Sequence, residues 1–544
     1  MTADERGLWA AVLAAPDDDL PRLVYADWLE ENGRGPLAAF IRAQIDLARV
    51  TPGHPDYVDL VERQTLAVAR VRGASSLPVP ELPDGAAFGG SIDEFTGDGY
   101  GHYHRGFPAS AGLDGRRLRS GPAALVRAVN GLVERTTVRG VWLGWCPAAG
   151  VEAVVDSAGS ARLTGLAVGP EVSGDPFPFD RLVRSPVAST LQSLALNLTS
   201  SATAEALAAL AAGRFDRLTD FALYRTPGLM GNDWDTPAAA DWAALARAPW
   251  PDRLTAMALD AGAAGLLAAM GPAAGLHTLD LFMVRDRAAG VAAALSDART
   301  PRLARLILRS VVIDGAAGHV LARRPLPPLA SVGLIQGTFT VDGVAAIVQA
   351  PWLAGVRELG FRNCPDAVGL VAALARGPAA AGVRALHVQQ CDSAAADLLA
   401  AAAFTALTTL DVPIKSTRQA RDAVPRFAEA WANPGLRSLT LDGWPAGNPG
   451  ATRLAKNPAF AGLRRLKLRG CGIGDAGAAA LVASPHLQNL VELDLANNAV
   501  GDRTAAALMR HGCLPHLALA DLTGNRLKPD ARAALRAARP EVWA

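Results

Sequence analysis

Residues 470–477 read GCGIGDAG, between the strand-like LRRLKL and the helix-like AAALVAS. Gly472, Gly474 and Gly477 spell G-x-G-x-x-G, and Glu492 follows Gly472 by 20 positions. A dinucleotide site has that order: a glycine turn, a helix start whose N–H groups hold a pyrophosphate, and a carboxylate for a ribose hydroxyl. Other residues invite other chemistry. Asp17, Asp18, Asp19, Asp27, Glu30 and Glu31 are dense enough for a metal or acid/base cluster. His102 and His104 alternate across Tyr103, as a zinc pair on a strand would, and Cys146, Cys364, Cys391, Cys471 and Cys513 offer thiols.

Each has a structural reading beside it. Asp17 to Asp19 stand where a helix begins and carboxylates cap free N–H groups, while Glu30 and Glu31 fit a solvated face. The histidine pair lacks evident third and fourth ligands and fits an edge strand. No Cys-x-x-Cys pair, nucleophile elbow, Walker loop or His-Glu-x-x-His motif occurs. The chain has 53 basic and 52 acidic residues, so it has no net field for a polyanion, and nucleic acid is disfavoured as a partner. An acidic start without a basic and apolar leader, the absence of a long apolar run and the unpaired cysteines predict a cytoplasmic protein with no membrane span.

What positions these residues is a repeat. LRRLKLRGCGI begins at Leu463, LVELDLANNAV at Leu490 and LALADLTGNRL at Leu517, each 27 residues after the last. The same apolar spacing starts upstream at Val138, Leu163, Leu191, Leu218, Leu254, Leu276, Leu303, Leu329, Val356, Val383, Leu407 and Leu436. These 15 starts span 379 residues in 14 intervals, a mean near 27, with one interval of 22 and one of 36. Apolar residues at positions 1, 4 and 6 send a short strand into a core, and position 11 seals the following turn. Alanine-rich segments such as DAGAAALVAS supply a helix in each repeat. Neither element buries its apolar face alone, so the repeats must stack.

The pattern L-x-x-L-x-L-x-x-N/C-x-L resembles the leucine-rich repeats, and the long helices resemble their ribonuclease-inhibitor-like class. The resemblance implies an α/β fold over 138–544: a curved solenoid of about 15 repeats with parallel strands on its concave side and helices on its convex side. Cys146, Cys364, Cys391 and Cys471 hold position 9, where Asn498 and Asn525 sit in the last two repeats. In this family that side chain bonds the backbone of the turn or fills space, so four equivalent thiols read as structural.

Residues 1–50 have another period. Leu8, Val12 and Leu13 predict one helix, Leu20, Leu23, Val24, Trp28 and Leu29 a second, and Leu37, Phe40, Ile41, Gln44 and Ile45 a third, giving a small all-α domain. LAAPDDDLPRLVYADWLEENG followed by AAFIRAQIDLAR resembles the repeat-companion domain of planctomycete and myxobacterial leucine-rich-repeat proteins, which implies no established chemistry. Residues 51–105 are expected as linker and irregular chain, and 106–137 as the solenoid's N-terminal cap.

A function then sits on the concave positions 3, 5, 7 and 8 or on a departure from the period. The candidate partner-binding residues are Trp142, Trp145, Tyr224, Arg225, Asp280, Phe282, Arg305, Arg309, Arg362, His387, Gln389, Arg465, Lys467, Arg469, Glu492 and Asp494. Their mix of aromatics and both charges suits a protein partner, and no cofactor, metal or catalytic residue is expected. The interval after Leu218, with Trp234, Trp242 and Trp250, is either a contact loop or a packed patch. The alternative function is an enzyme or regulatory module whose site lies in the N-terminal helices or linker. At the repeat period Gly474 and Asp475 align with Gly501 and Asp502, so the glycine fingerprint reads as a repeat turn and Asp475 as the cap of its own helix.

Overall fold

The computed structural model describes residues 2–16, 18–51, 53–73, 86–87, 103–104, 107–114, 121–169, 178–198, 204–225, 239–260, 266, 269–270, 273–282, 299–323, 326–364, 367–389, 404–414, 422–510 and 512–543. Helices α1 (Ala3–Ala14), α2 (Asp19–Glu31), α3 (Gly35–Ala48) and α4 (Tyr57–Gly73) come first. Thr2 caps α1 by accepting from Glu5 N at 3.1 Å, and Asp18 caps α2 by accepting from Leu20 N at 2.9 Å. Val12, Tyr25, Leu29, Leu37, Phe40, Ile41 and Ile45 form their shared core, completed by Ala67, Val68 and Val71 of α4. Thus α4 replaces part of the expected 51–105 linker. Its apolar face is written in VARV, but the charged turns before it dilute the period.

The sheet has 18 strands among the described residues. Ala86–Ala87 runs antiparallel against Ser110–Asp114, and the others follow one another in parallel from Ser110–Asp114 to Val542–Trp543. Each of the 15 repeat starts read from the sequence is followed two residues later by a strand. The spacing does this because positions 1, 4 and 6 bury: Leu463, Leu466 and Leu468 are fully buried, and Ile473 at position 11 is too. The resulting α/β solenoid keeps one continuous core, separate from that of the N-terminal helices. The helix Pro122–Arg135 packs on the helix Ala148–Val155 at the start of the solenoid, with Leu125, Val129, Leu132 and Val133 buried in its core.

Two backbone devices repeat. Position 8 turns the chain out of the strand in the left-handed region, at Trp145, Ser310, Gln336, Asn363, Gly443, Gly470, Asn497 and Gly524, with φ from 51° at Ser310 to 79° at Gly443. That conformation costs a side chain about 1–2 kcal/mol, which is why Gly and Asn recur there. Position 9 then reaches the position-6 carbonyl of the preceding repeat. Asn498 Nδ2 donates to Leu468 O at 2.8 Å, Asn525 Nδ2 to Leu495 O at 2.8 Å, Cys471 Sγ to Leu441 O at 3.1 Å and Trp444 Nε1 to Val412 O at 2.6 Å. Of the tryptophans in the 36-residue interval, Trp250 is core: its ring meets Phe215 and Phe221 edge-on at 5.6 and 5.0 Å. The side chains of Trp234 and Trp242 lie outside the described residues.

Candidate functional site

The glycine loop is filled by its neighbours. The helix Asp475–Val482 begins at Gly474, and Asn448 of the preceding repeat accepts from Gly474 N at 2.8 Å and Gly477 N at 3.0 Å. A Cβ on Gly477 would sit 2.8 Å from Asn448 Oδ1, so the glycine admits a side chain where a cofactor site would admit a phosphate. Asp475 does not cap its own helix. It accepts from Gly501 N at 2.9 Å, Thr504 N at 3.1 Å and Thr504 Oγ1 at 2.7 Å, capping the next one, and Asp502 likewise accepts from Lys528 N at 2.9 Å. A residue at the first helical position points toward the following repeat, which shortens the reach to that helix and lengthens it to its own.

The N-terminal acids are paired. Arg42 bridges Asp27 and Glu30, each at 2.7 Å, and Arg49 meets Asp19 at 3.0 Å; Asp17 lies outside the described residues. Buried Glu5 accepts from Tyr25 Oη at 3.0 Å and Arg34 at 2.6 Å. Burial and that carboxylate push the Tyr25 hydroxyl up to about 12. Cys146, Cys364 and Cys471 are buried, and burial raises the Cys471 thiol, the opposite of what a nucleophile needs. Cys391 and His102 lie outside the described residues, as do the side chains at 103–104, whose backbone pairs with Phe107–Pro108. Among the described residues no group of three His, Cys, Asp or Glu could hold a metal ion.

The concave sheet is where charged side chains converge, because positions 3 and 5 of successive strands stand in register. Near its middle Asp280 takes Arg309 in a forked pair, with Nε to Oδ1 at 3.0 Å and Nη2 to Oδ2 at 2.7 Å, and the same guanidinium lies 4.5 Å over the Phe282 ring. Farther on, His387 sits between Asp411 at 3.4 Å and Glu358 at 3.8 Å. Burial opposes its charge, but the Asp411 hydrogen bond and the two carboxylates raise its pKa. Glu492 lies between Arg465 at 3.3 Å and Lys467 at 3.5 Å, so the residue that looked like a ribose partner is an ion-pair centre on the sheet. Asp442 accepts from Arg469 N at 2.7 Å, and burial, with Asp494 and Asp411 adding, pushes it up to about 6. Burial also raises Asp494, which accepts from Ala496 N at 2.9 Å.

Several residues taken as exposed are not: Asp280, Arg305 and Glu492 are each less than a tenth exposed. Trp145 is a turn residue with φ 54° rather than a sheet-face residue. The Trp142 ring lies over two glycines, where a Cβ on Gly144 would fall 2.3 Å from it and one on Gly169 3.1 Å. Arg362 and Gln389 are partly exposed and Arg469 is exposed, while the side chains of Tyr224 and Arg225 lie outside the described residues. The sequence reading missed Glu358, legible as position 3 of its repeat, and it missed position 2 altogether. Arg384, Arg437 and Arg464 occupy that column, and α4 lies against it: Asp59 pairs with Arg384, and α4 packs on the strand Leu519–Asp521.

Residues 463–482 and 486–509 match the family model described as Leucine Rich repeat. These turns are leucine-rich repeats. The same strand register carries the solenoid upstream, and no curated protein matches the chain. Among solved structures, a chain of the Toll–Spatzle complex of Drosophila is similar at 12% identity and TM-score 0.35, over 79% of this chain and 52% of that one. A leucine-rich-repeat protein of Leptospira interrogans is similar at 14% identity and TM-score 0.31, over 79% and 94%. A chain of the yeast Rad7 and Elc1 complex is similar at 17% identity and TM-score 0.35, over 55% and 76%. This chain thus spans about half of the first of these chains. Among the described residues no helix is long and apolar enough to cross a membrane.

Proposed function

We propose that this leucine-rich-repeat protein is a non-enzymatic scaffold that binds a protein through the concave face of its solenoid. The observation that carries the reading is the register of the sheet, which sets His387, Asp411, Thr440, Lys467 and Asp494 in one row across successive strands and Glu358, Arg465 and Glu492 in the row beside it. Both charge signs alternate there over a few strands, a surface that discriminates by complementarity and suits a folded polar partner better than a polyanion. Trp142 and the Phe282–Arg309 stack add flat apolar area on the same face. The Cys471 thiol serves as a backbone donor, Asp475 as a helix cap and the glycine loop as a turn, which supports a structural rather than a catalytic reading of these groups.

The test uses the exposed rim, since reversing Arg465 or Lys467 would also strand Glu492. Arg362→Glu with Arg469→Glu should lower the yield of a specific co-purifying protein at least about fivefold in affinity purification from the native host, with helicity unchanged. Full retention of that protein by the variant, or its retention by residues 1–73 alone, would sink the concave-face reading.

A further inference from the structure

The concave edge of the solenoid already has an occupant. Reading along the N-terminal segment, its contacts with the solenoid advance through the repeats in order. A Cβ on Gly53 would lie 3.0 Å from Ala304 Cβ, Asp59 pairs with Arg384, and Glu62 faces Arg437, Arg464 and Arg465. Then α4 packs on the strand Leu519–Asp521, and the Arg72 guanidinium lies 5.0 Å over the Trp543 ring. A helix of 17 residues is about 25 Å long, enough to subtend many strands as a chord across a curved sheet. Concave-facing Leu519 is only 3% exposed although it belongs to neither apolar core.

The contact is mixed in character. The two cores share no residue, and between the two units lie the Asp59–Arg384 ion pair, the Arg72–Trp543 cation–π contact and apolar Leu519, while Leu66 and Ala69 of α4 are buried in neither core. Burial raises the Glu62 carboxyl in spite of Arg464 and Arg437, so part of the cost of docking it is uncompensated. Asp59 remains half exposed, where an ion pair contributes little. What presents α4 to the solenoid is the N-terminal core, into which its Ala67, Val68 and Val71 pack, and the covalent link of that unit to the solenoid supplies an effective concentration of order millimolar.

We propose that α4 is a tethered ligand of its own solenoid, a clasp that occupies the Arg384, Arg437 and Arg464 edge of the concave face and must release before a partner carrying an acidic helix can bind there. This rests on the concave-face reading for its biological use, though not for its geometry. The clasp gates access, because a partner competes with α4 for the same guanidinium groups and wins only by better satisfying them.

The experiment keeps the full chain and uses the 17-residue α4 peptide, Tyr57–Gly73, labelled with fluorescein as the probe. In a Cys513→Ser background, Gly53→Cys with Ala304→Cys places two Cβ atoms 3.0 Å apart, so an outward shift of about 0.5–1 Å brings them to disulfide distance on oxidation. Oxidation should form that bond and leave the peptide unbound; reduction should restore weak binding. Asp59→Arg, which opens the clasp without touching the arginine edge, should raise peptide affinity at least about threefold. Arg384→Glu should weaken peptide binding, and Asp59→Arg combined with Arg384→Glu should close the clasp again. Failure of the disulfide to form, or equal peptide binding by the oxidised and reduced proteins, would overturn the clasp. If the clasp gates the peptide while the rim variant Arg362→Glu, Arg469→Glu retains its co-purifying protein, the clasp stands and the proposed partner face is wrong.

Discussion

At the scale of the residue, position 8 separates two costs that usually travel together. Gly443 has φ 79° and an added Cβ would fall 2.2 Å from Ile414 O, whereas Gly470 has φ 67° with nothing within 4 Å. A left-handed alanine costs about 1 kcal/mol in free space, and a Cβ forced onto a carbonyl adds to it. Gly470→Ala should therefore lower stability by about 1 kcal/mol and Gly443→Ala by about 2–4 kcal/mol. Urea denaturation followed through buried Trp444 would measure both; equal losses would show that the backbone relaxes at Gly443. The sequence reading took position 8 as a sheet-face position because periodicity reports only which side is apolar. Gly443, Gly470, Asn497 and Gly524 carried the missing signal, since Gly and Asn are the residues that tolerate positive φ.

At the scale of the element, strands were readable and caps were not. Leu463, Leu466 and Leu468 place a strand wherever they recur, because three buried side chains at that spacing admit only one extended path. A cap depends on which helix start a side chain reaches, and Asp475 reaches the next repeat rather than its own. Asp475→Ala should destabilise the helix Asp502–Leu508 by about 1–2 kcal/mol and leave its own helix intact, as read by hydrogen exchange at Thr504 against Ala478. Burial pushes the Asp475 carboxyl up, but the Thr504 hydroxyl and the Gly501 and Thr504 N–H groups outweigh it and hold its pKa below the usual value. A carboxyl depressed in the folded state contributes stability above its unfolded pKa and loses it as pH falls through the folded value. Protection at Thr504 should thus weaken below about pH 4 in the native protein and be pH-independent there in Asp475→Ala. Protection that falls equally in both would remove Asp475 as the cause.

At the scale of the whole molecule, the repeat architecture was visible in the period of 27, but the docking of the N-terminal helices on it was not. Contacts such as Asp59 with Arg384 join residues 325 positions apart through a column, position 2, that has no apolar pattern to announce it. Within the solenoid each repeat touches its neighbours, so a local defect should spread only as far as nearest-neighbour interfaces carry it. Leu468 is fully buried, and its carbonyl accepts the Asn498 bond that joins its repeat to the next. Leu468→Ala should cost about 2–5 kcal/mol locally. In hydrogen exchange the loss of protection should centre on the strands Ser438–Thr440, Arg465–Lys467 and Glu492–Asp494, while Gly140–Gly144 keeps its native protection. The N-terminal core, built on Leu29, Phe40 and Ile41, should also hold, because it shares no buried side chain with the solenoid. Loss of protection at Phe40 together with Leu468→Ala would mean that α4 couples the two cores into one cooperative unit, and the clasp would then be an obligate interface. Retained protection at Phe40 with faster exchange along α4 would mark the interface as one that opens while both units stay folded.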